Sequence, residues 1–213
     1  MADRQKTATV GDVATGANRA QGRAPDSADP KRSPDGSAEH VAEWSLDRLV
    51  DHIVQTHHRY VRSALPAIAE QLEALQRAHG HSRPALARVA LAFGEMGREL
   101  ERHLLKEEQI LFPYVRQIAA LGGHRRTGWT SPFGTVGNPI AMMEREHREA
   151  FDALRQIREL THDYAVRAAD STEYSACMAA LAEFEADLER HVHLENTVLF
   201  PRALALEKRM VEG

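Results

Sequence analysis

HLLKEEQILFP, residues 103–113, and HVHLENTVLFP, residues 191–201, carry His, Glu, Leu, Phe and Pro at the same offsets of 0, 4, 8, 9 and 10. At about 100° per residue, positions i and i+4 of a helix sit one turn apart and differ by roughly 40°, so His103 with Glu107 and His191 with Glu195 each project from one face. That face is the apolar one. Before the first copy run Val89, Phe93, Met96 and Leu100, continuing through His103 and Glu107 to Ile110; before the second run Cys177, Leu181, Phe184 and Leu188, continuing through His191 and Glu195 to Val198. Both stripes advance in alternating steps of four and three, the spacing of a core seam in a helix bundle. A carboxylate at a seam position is a desolvated anion, which costs on the order of several kcal/mol unless a cation meets it. Two such carboxylates, each one turn from a seam histidine, point to bound metal.

Looking outward, His58 lies 45 residues before His103 and His147 lies 44 before His191. The chain therefore reads as two tandem helix pairs, each contributing a histidine and then His-x-x-x-Glu. Helical periodicity covers about 45–79, 83–118, 138–166 and 171–207, with no strand-like alternation of comparable length. The third helix has a stripe through Ile140, Met143, His147, Ala150, Phe151 and Leu154; the first runs through Leu46, Leu49, Val50, Ile53, Val54, Val61, Leu65 and Ile68 and is expected to bend at Pro66. Ser45 and Asp47 are expected to cap the first helix, Ser82 with Pro84 the second, and Asn138 with Pro139 the third. The stretch from Gly122 to Pro139 is the long central connection. The expectation is an all-α, antiparallel up-down four-helix bundle over 41–213.

Residues 1–40 contain no Leu, Ile, Phe, Tyr or Trp. Such a segment buries too little apolar surface to offset its ordering entropy and is read as a disordered tail. Charge is interspersed and the formal net charge is −4, so no nucleic-acid-binding or membrane-binding face is expected. No apolar run approaches the roughly 20 residues of a membrane span, and the N-terminus lacks the apolar centre of a secretion signal. The one cysteine, Cys177, makes no internal disulfide, which agrees with a cytoplasmic protein, and at a seam position it reads as a small buried hydrophobe.

If each helix supplies one histidine and the two glutamates bridge, protein atoms fill about eight of the twelve positions on two octahedral ions. An oxo or hydroxo bridge leaves about one open position per ion for a small ligand. Imidazole suits iron, zinc, copper and nickel alike, so ligand chemistry does not choose the metal. Helix geometry does not separate His57 from His58 either, since both fall near the first seam. His52, His79, His81, His124 and His162 have no equivalent support, and His193 should face away from His191.

DHIVQTHHRYVRSALPAI, HLLKEEQILFPYV, MMEREHREA and HVHLENTVLFPRALA together resemble the hemerythrin-like domain of the iron-sulfur cluster repair di-iron proteins, across about 41–208. The resemblance implies a hemerythrin-like bundle with two iron ions. His58, His103, His147 and His191 are then terminal ligands and Glu107 and Glu195 the bridges, with His57 a flanking, partly exposed residue. It also places acids near the metals at Glu99 and Glu146, where either could orient a ligand, relay protons or line a path. The implied function is repair of iron-sulfur clusters damaged by nitric oxide or oxidants, through iron donation or nitric oxide chemistry. Damaged iron-sulfur proteins and a diatomic ligand, nitric oxide or dioxygen, are the implied partners. Members of that family often carry an N-terminal domain with a cysteine pair, whereas residues 1–40 here contain no cysteine. The alternative is a hemerythrin-type dioxygen or nitric oxide sensor or carrier. Oxygen-carrying hemerythrins use five histidines with a different second-half spacing, and ferritin-like oxidases use Glu-x-x-His on two helices; two His-x-x-x-Glu copies fit both poorly.

Overall fold

The computed structural model describes residues 41–122, 124 and 129–212. The expected tail, residues 1–40, lies outside them. Four long helices account for most of the described chain. Helix α1 runs as Leu46–His52, a widened π turn Ile53–His58, and Arg59–His79. Helix α2 runs as Ala85–Lys106, a π turn Glu107–Leu111, and Phe112–Ala120. Helix α3 is Gly137–Thr161, and α4 runs as Thr172–Leu194, a π turn Glu195–Leu199, and Phe200–Glu212. Among the described residues the only bridge of β type is the isolated Ser131–Gly134 pairing, in a turn where Gly134 takes a φ of +75°. The first segment of α1 packs on the last segment of α2, and α1 also packs along α4, so successive helices run antiparallel.

The π turns are the main departure from the seams read off the sequence. Each inserts one extra residue per turn, so the buried stripe slips by one position as it passes through. Ile110, expected in the seam, is 47% exposed, and Leu111 is buried instead; Leu199 is likewise fully buried where Val198 was expected. Pro113 and Pro201 offer a local cause. A proline inside a helix removes a hydrogen bond to the carbonyl four residues back and crowds it, and those carbonyls, of Gln109 and Thr197, lie within the widened turns. In α1 the helix continues through Pro66, and its irregularity falls earlier, at Ile53–His58.

Two apolar clusters result. One is built around Val61, Leu72, Phe93, Leu104, Leu154 and Phe184; the other around Leu49, Ile53, Leu111, Phe112, Ile140 and Phe200. His58, His103, Glu107, His147, His191 and Glu195 lie between them in the chain order of every helix, as a buried polar layer.

The helix ends differ from expectation in three places. Ser45 caps α1, its hydroxyl accepting from Arg48 N at 3.2 Å. Ser82 instead donates to the His79 carbonyl and closes α1. At the start of α3, Asn138 donates to the Phe133 carbonyl, Thr135 Oγ1 accepts from the Gly137 amide at 3.2 Å, and the acceptor for the preceding Val136 amide comes from α4. Glu207 receives the Val136 amide at 2.8 and 2.9 Å, the Thr135 hydroxyl at 2.7 Å and the Tyr114 hydroxyl at 2.6 Å. Helix α3 ends at Thr161 rather than near 166, because His162, Asp163 and Tyr164 all take left-handed φ angles of 54°, 57° and 59°, and left-handed backbone cannot continue the helix.

Glu207 is buried and thereby ties the central connection to the last helix. Glu207→Leu should leave the Val136 amide and the Tyr114 hydroxyl without their acceptor and cost at least about 2 kcal/mol. Urea unfolding with an unchanged m-value would register the loss; an unchanged midpoint would contradict it.

Candidate metal centre

In α2 and α4 the histidine lies in the last turn of regular helix and the glutamate opens the π turn. His103 and Glu107, and equally His191 and Glu195, share a face while the chain beyond them is rotated away. In α1 the π turn ends at His58 and brings both His57 and His58 inward. His147 projects from regular helix.

The six side chains meet. His58 Nε2 lies 3.1 Å from His191 Nε2, and His103 Nε2 lies 3.0 Å from His147 Nε2. Each carboxylate turns one oxygen to each imidazole pair: Glu107 Oε2 is 3.4 Å from His58 and its Oε1 is 3.4 Å from His103. Glu195 Oε1 is 3.1 Å from His191 and its Oε2 is 3.2 Å from His147. The atoms fall into two nests, His58–Glu107–His191–Glu195 and His103–Glu107–His147–Glu195, in each of which all ligand atoms lie within 4.8 Å of one another.

A metal accounts for this arrangement better than hydrogen bonding does. Both Glu107 oxygens and Glu195 Oε2 are buried without a directed hydrogen-bond partner, which is rare for groups that desolvation penalises so heavily. Imidazole nitrogens 3 Å apart either share one proton or point lone pairs at a common ion. Ligands about 2.1 Å from one ion stand roughly 3.0–3.4 Å apart in octahedral or tetrahedral arrangement, the range of the nitrogen–nitrogen and nitrogen–oxygen separations given above.

The outer contacts orient the rings. His58 Nδ1 donates to Glu108 Oε1 at 2.7 Å, and Glu108 also accepts from Arg62 at 2.9 Å. His103 Nδ1 donates to Glu146 Oε2 at 3.0 Å, and Glu146 pairs with Lys106. A donor bond from Nδ1 leaves the Nε2 lone pair free for the centre and raises its basicity. Phe112 stacks on His58 and Phe200 on His147, walling the layer.

Two placements differ from expectation, and one supporting residue was not anticipated. His57 is buried, not partly exposed, and donates from Nδ1 to Asp187 Oδ1 at 3.0 Å. It lies in the π turn Ile53–His58, which turns both histidines toward the core, and Asp187 of α4 meets it there. Glu99 stands with its side chain 73% exposed, ion-paired with Arg102 on its own helix, and lines the outer wall of a groove of about 420 Å³ that reaches His103. Glu108 was not singled out from the sequence; it supports His58 through a contact from α2 to α1, which spacing within one helix does not record. His193 is exposed, on the far side from His191. Cys177 is fully buried and desolvation pushes its thiol up to about 11.

Charge in the layer is strongly coupled. Burial would raise the Glu195 carboxyl, but His191 and His147 hold it well below the ordinary carboxylate range. Burial would lower His103, but Glu107 above all, with Glu195 and Glu146, brings it up to about 9.

A bundle whose middle layer is four imidazoles and two shared carboxylates defines a histidine–carboxylate metal-binding helical protein. Residues 49–203 match the Hemerythrin HHE cation binding domain, and the chain belongs to that family. The probable iron-sulfur cluster repair protein of Haemophilus influenzae is 32% identical over 160 residues, covering 75% of this chain and 66% of that protein. The iron-sulfur cluster repair protein YtfE of Edwardsiella ictaluri is 32% identical over 173 residues, 80% of this chain and 72% of its own length. YtfE of an Enterobacter species is 34% identical over 163 residues, 76% and 68% respectively. The chain thus spans about two thirds of the length of these relatives. No described helix is long and apolar enough to cross a membrane.

An ion at His103 must displace the proton that the metal-free site holds there. Loading metal-free protein near pH 7 should therefore release protons into weakly buffered solution. His103 titrates near 6.5 when unfolded and near 9 when folded, so its stabilisation of the metal-free fold is complete below about pH 6.5 and is lost as pH rises through about 9. Thermal melts of metal-free protein should fall across that window. Melts that stay flat, with no protons released on loading, would count against the arrangement.

Proposed function

We propose that His58, His103, Glu107, His147, His191 and Glu195 hold a non-haem di-iron centre, and that the protein acts in the cytoplasm in repair of iron-sulfur clusters damaged by nitric oxide or oxidative stress. The observation that carries this reading is the division of each carboxylate between two imidazole pairs: Glu107 and Glu195 each present one oxygen to each nest. A carboxylate serving one ion has no need of that geometry. The names and sequence similarity of the relatives support the repair role, and the imidazole-rich donor set suits iron.

Two irons so held supply redox chemistry, a position for a diatomic ligand such as nitric oxide, and a reserve of iron that a damaged cluster lacks. The chain's own residues set the conditions. Glu107 and Glu195 offset part of the ionic charge inside the apolar bundle. Glu108 and Glu146 hold the His58 and His103 rings with their Nε2 atoms inward. The apolar clusters on both sides keep bulk water from the layer, while the groove lined by Met96, Leu100, His103, Glu146 and Ala150 gives a small molecule or ion an approach to one nest.

Iron-replete expression should yield about two irons per chain, and the loaded protein should restore activity to a nitric-oxide-damaged iron-sulfur hydratase. Glu195→Gln should perturb both irons together in Mössbauer spectra, since that side chain faces both nests, and Glu107→Gln should behave like it. One zinc per chain, or an unperturbed coupled pair in Glu195→Gln, would contradict the centre. Reversible dioxygen binding without any repair would favour a carrier or sensor instead.

A further inference from the structure

The tandem repeat relates His58, His103 and Glu107 of the first half to His147, His191 and Glu195 of the second. The same offsets extend outward. Glu108 corresponds to Asn196, Glu146 to His57, and Glu99 to Asp187. In the first half, His58 Nδ1 donates to Glu108 and His103 Nδ1 donates to Glu146. The counterparts of these two bonds would join His147 Nδ1 to Asn196 and His191 Nδ1 to His57.

His147 Nδ1, Asn196 Oδ1, His191 Nδ1 and His57 Nε2 are all buried atoms without a hydrogen-bond partner. Their chemistry is complementary. A histidine that offers Nε2 to an ion carries its proton on Nδ1, so His147 and His191 are donors. Asn196 Oδ1 is an acceptor. His57 donates from Nδ1 to Asp187, 3.0 Å away, which leaves its Nε2 an acceptor too. Its ring lies parallel to that of His191, within 2°, with centroids 5.6 Å apart, and Arg190 reaches the same Asp187 oxygen, Oδ1, at 3.4 Å.

We infer that His57 and Asn196 are positioning residues, the Nδ1 acceptors of His191 and His147, and that Asp187 fixes the ring state His57 needs for this. The inference rests on the metal reading above and completes it: all four ligand histidines then have an outer acceptor at equivalent positions. The first half uses carboxylates, and the second half uses an amide and an imidazole backed by a carboxylate. Because His191 and His147 belong to different nests, each acceptor acts on one ion. His57 serves the nest of His58 and His191; Asn196 serves that of His103 and His147.

The test uses the full chain, freed of metal and titrated with Zn²⁺. Wild type should bind two ions. In His57→Phe, which keeps a ring against His191, and in Asn196→Leu, one of the two ions should bind roughly 10–100-fold more weakly, the other as in wild type. His57→Gln and Asn196→Asp, which restore an acceptor, should recover most of the loss, and Asp187→Asn should resemble His57→Phe. In the zinc-loaded protein, nitrogen-15 NMR should show slowly exchanging Nδ1–H protons on His147 and His191. His57→Phe should abolish only the signal of His191, and Asn196→Leu only that of His147. Unchanged affinities and signals would overturn the inference, as would equal weakening of both ions with the signals retained. Wild type binding fewer than two zinc ions would overturn the two-ion reading, and this inference with it.

Discussion

Two glutamate side chains with no exposed surface sit between two apolar clusters, and the groups that face their oxygens are histidines, with no Lys or Arg among them. Anions in such a layer are tolerable only if something positive meets both oxygens of each. Ions held jointly with the four imidazole nitrogens would do so, and the rest of the bundle is arranged to deliver those ligands. The long regular stretches of α1, α2 and α4 form one cluster, the short segments on the other side of each π turn form the other, and the ligands of these three helices lie where regular helix gives way. Widening a helix by one residue loosens its hydrogen bonding locally, yet here it lets His57 and His58 share one face and carries the seam past Glu107 and Glu195.

The repeat made the helices, the seams and the six central side chains readable, because a polar residue at a core position is an anomaly that periodicity exposes. What lay beyond one regular helical period did not show. Ile110 and Val198 were expected in the core on a step of three after each glutamate, and the extra residue of the π turn replaced them with Leu111 and Leu199. His57 lies in the same kind of turn, and its burial goes with a contact to Asp187 of α4 that spacing within α1 does not record. Glu99, one turn before His103, turns outward to Arg102, and Glu108, from a position that reads as solvated surface, reaches across to α1. Which acid supports which histidine depends on contacts between helices, and spacing within one helix carries no information about those.

Glu207 illustrates the same limit. Asn138 and Pro139 carry the local signature of a helix start, yet the amide of Val136, just before α3, is received by a carboxylate from the last helix. A buried carboxylate with donors from Tyr114, Thr135 and Val136 is fully satisfied by neutral groups, in contrast to Glu107 and Glu195. Two kinds of buried acid therefore coexist within one bundle, and hydrogen-bond satisfaction separates the structural one from those of the metal layer.

Each nest draws on both halves of the repeat: His58 and Glu107 with His191 and Glu195, and His103 and Glu107 with His147 and Glu195. Neither helix pair contains a complete set of donors for even one ion, although the two pairs repeat one another in sequence. During synthesis the chain emerges from its N-terminal end, so Glu195, common to both nests, is made only after α1, α2 and α3. A nascent chain that has not yet reached α4 thus cannot build either complete nest, whatever its first three helices have already formed.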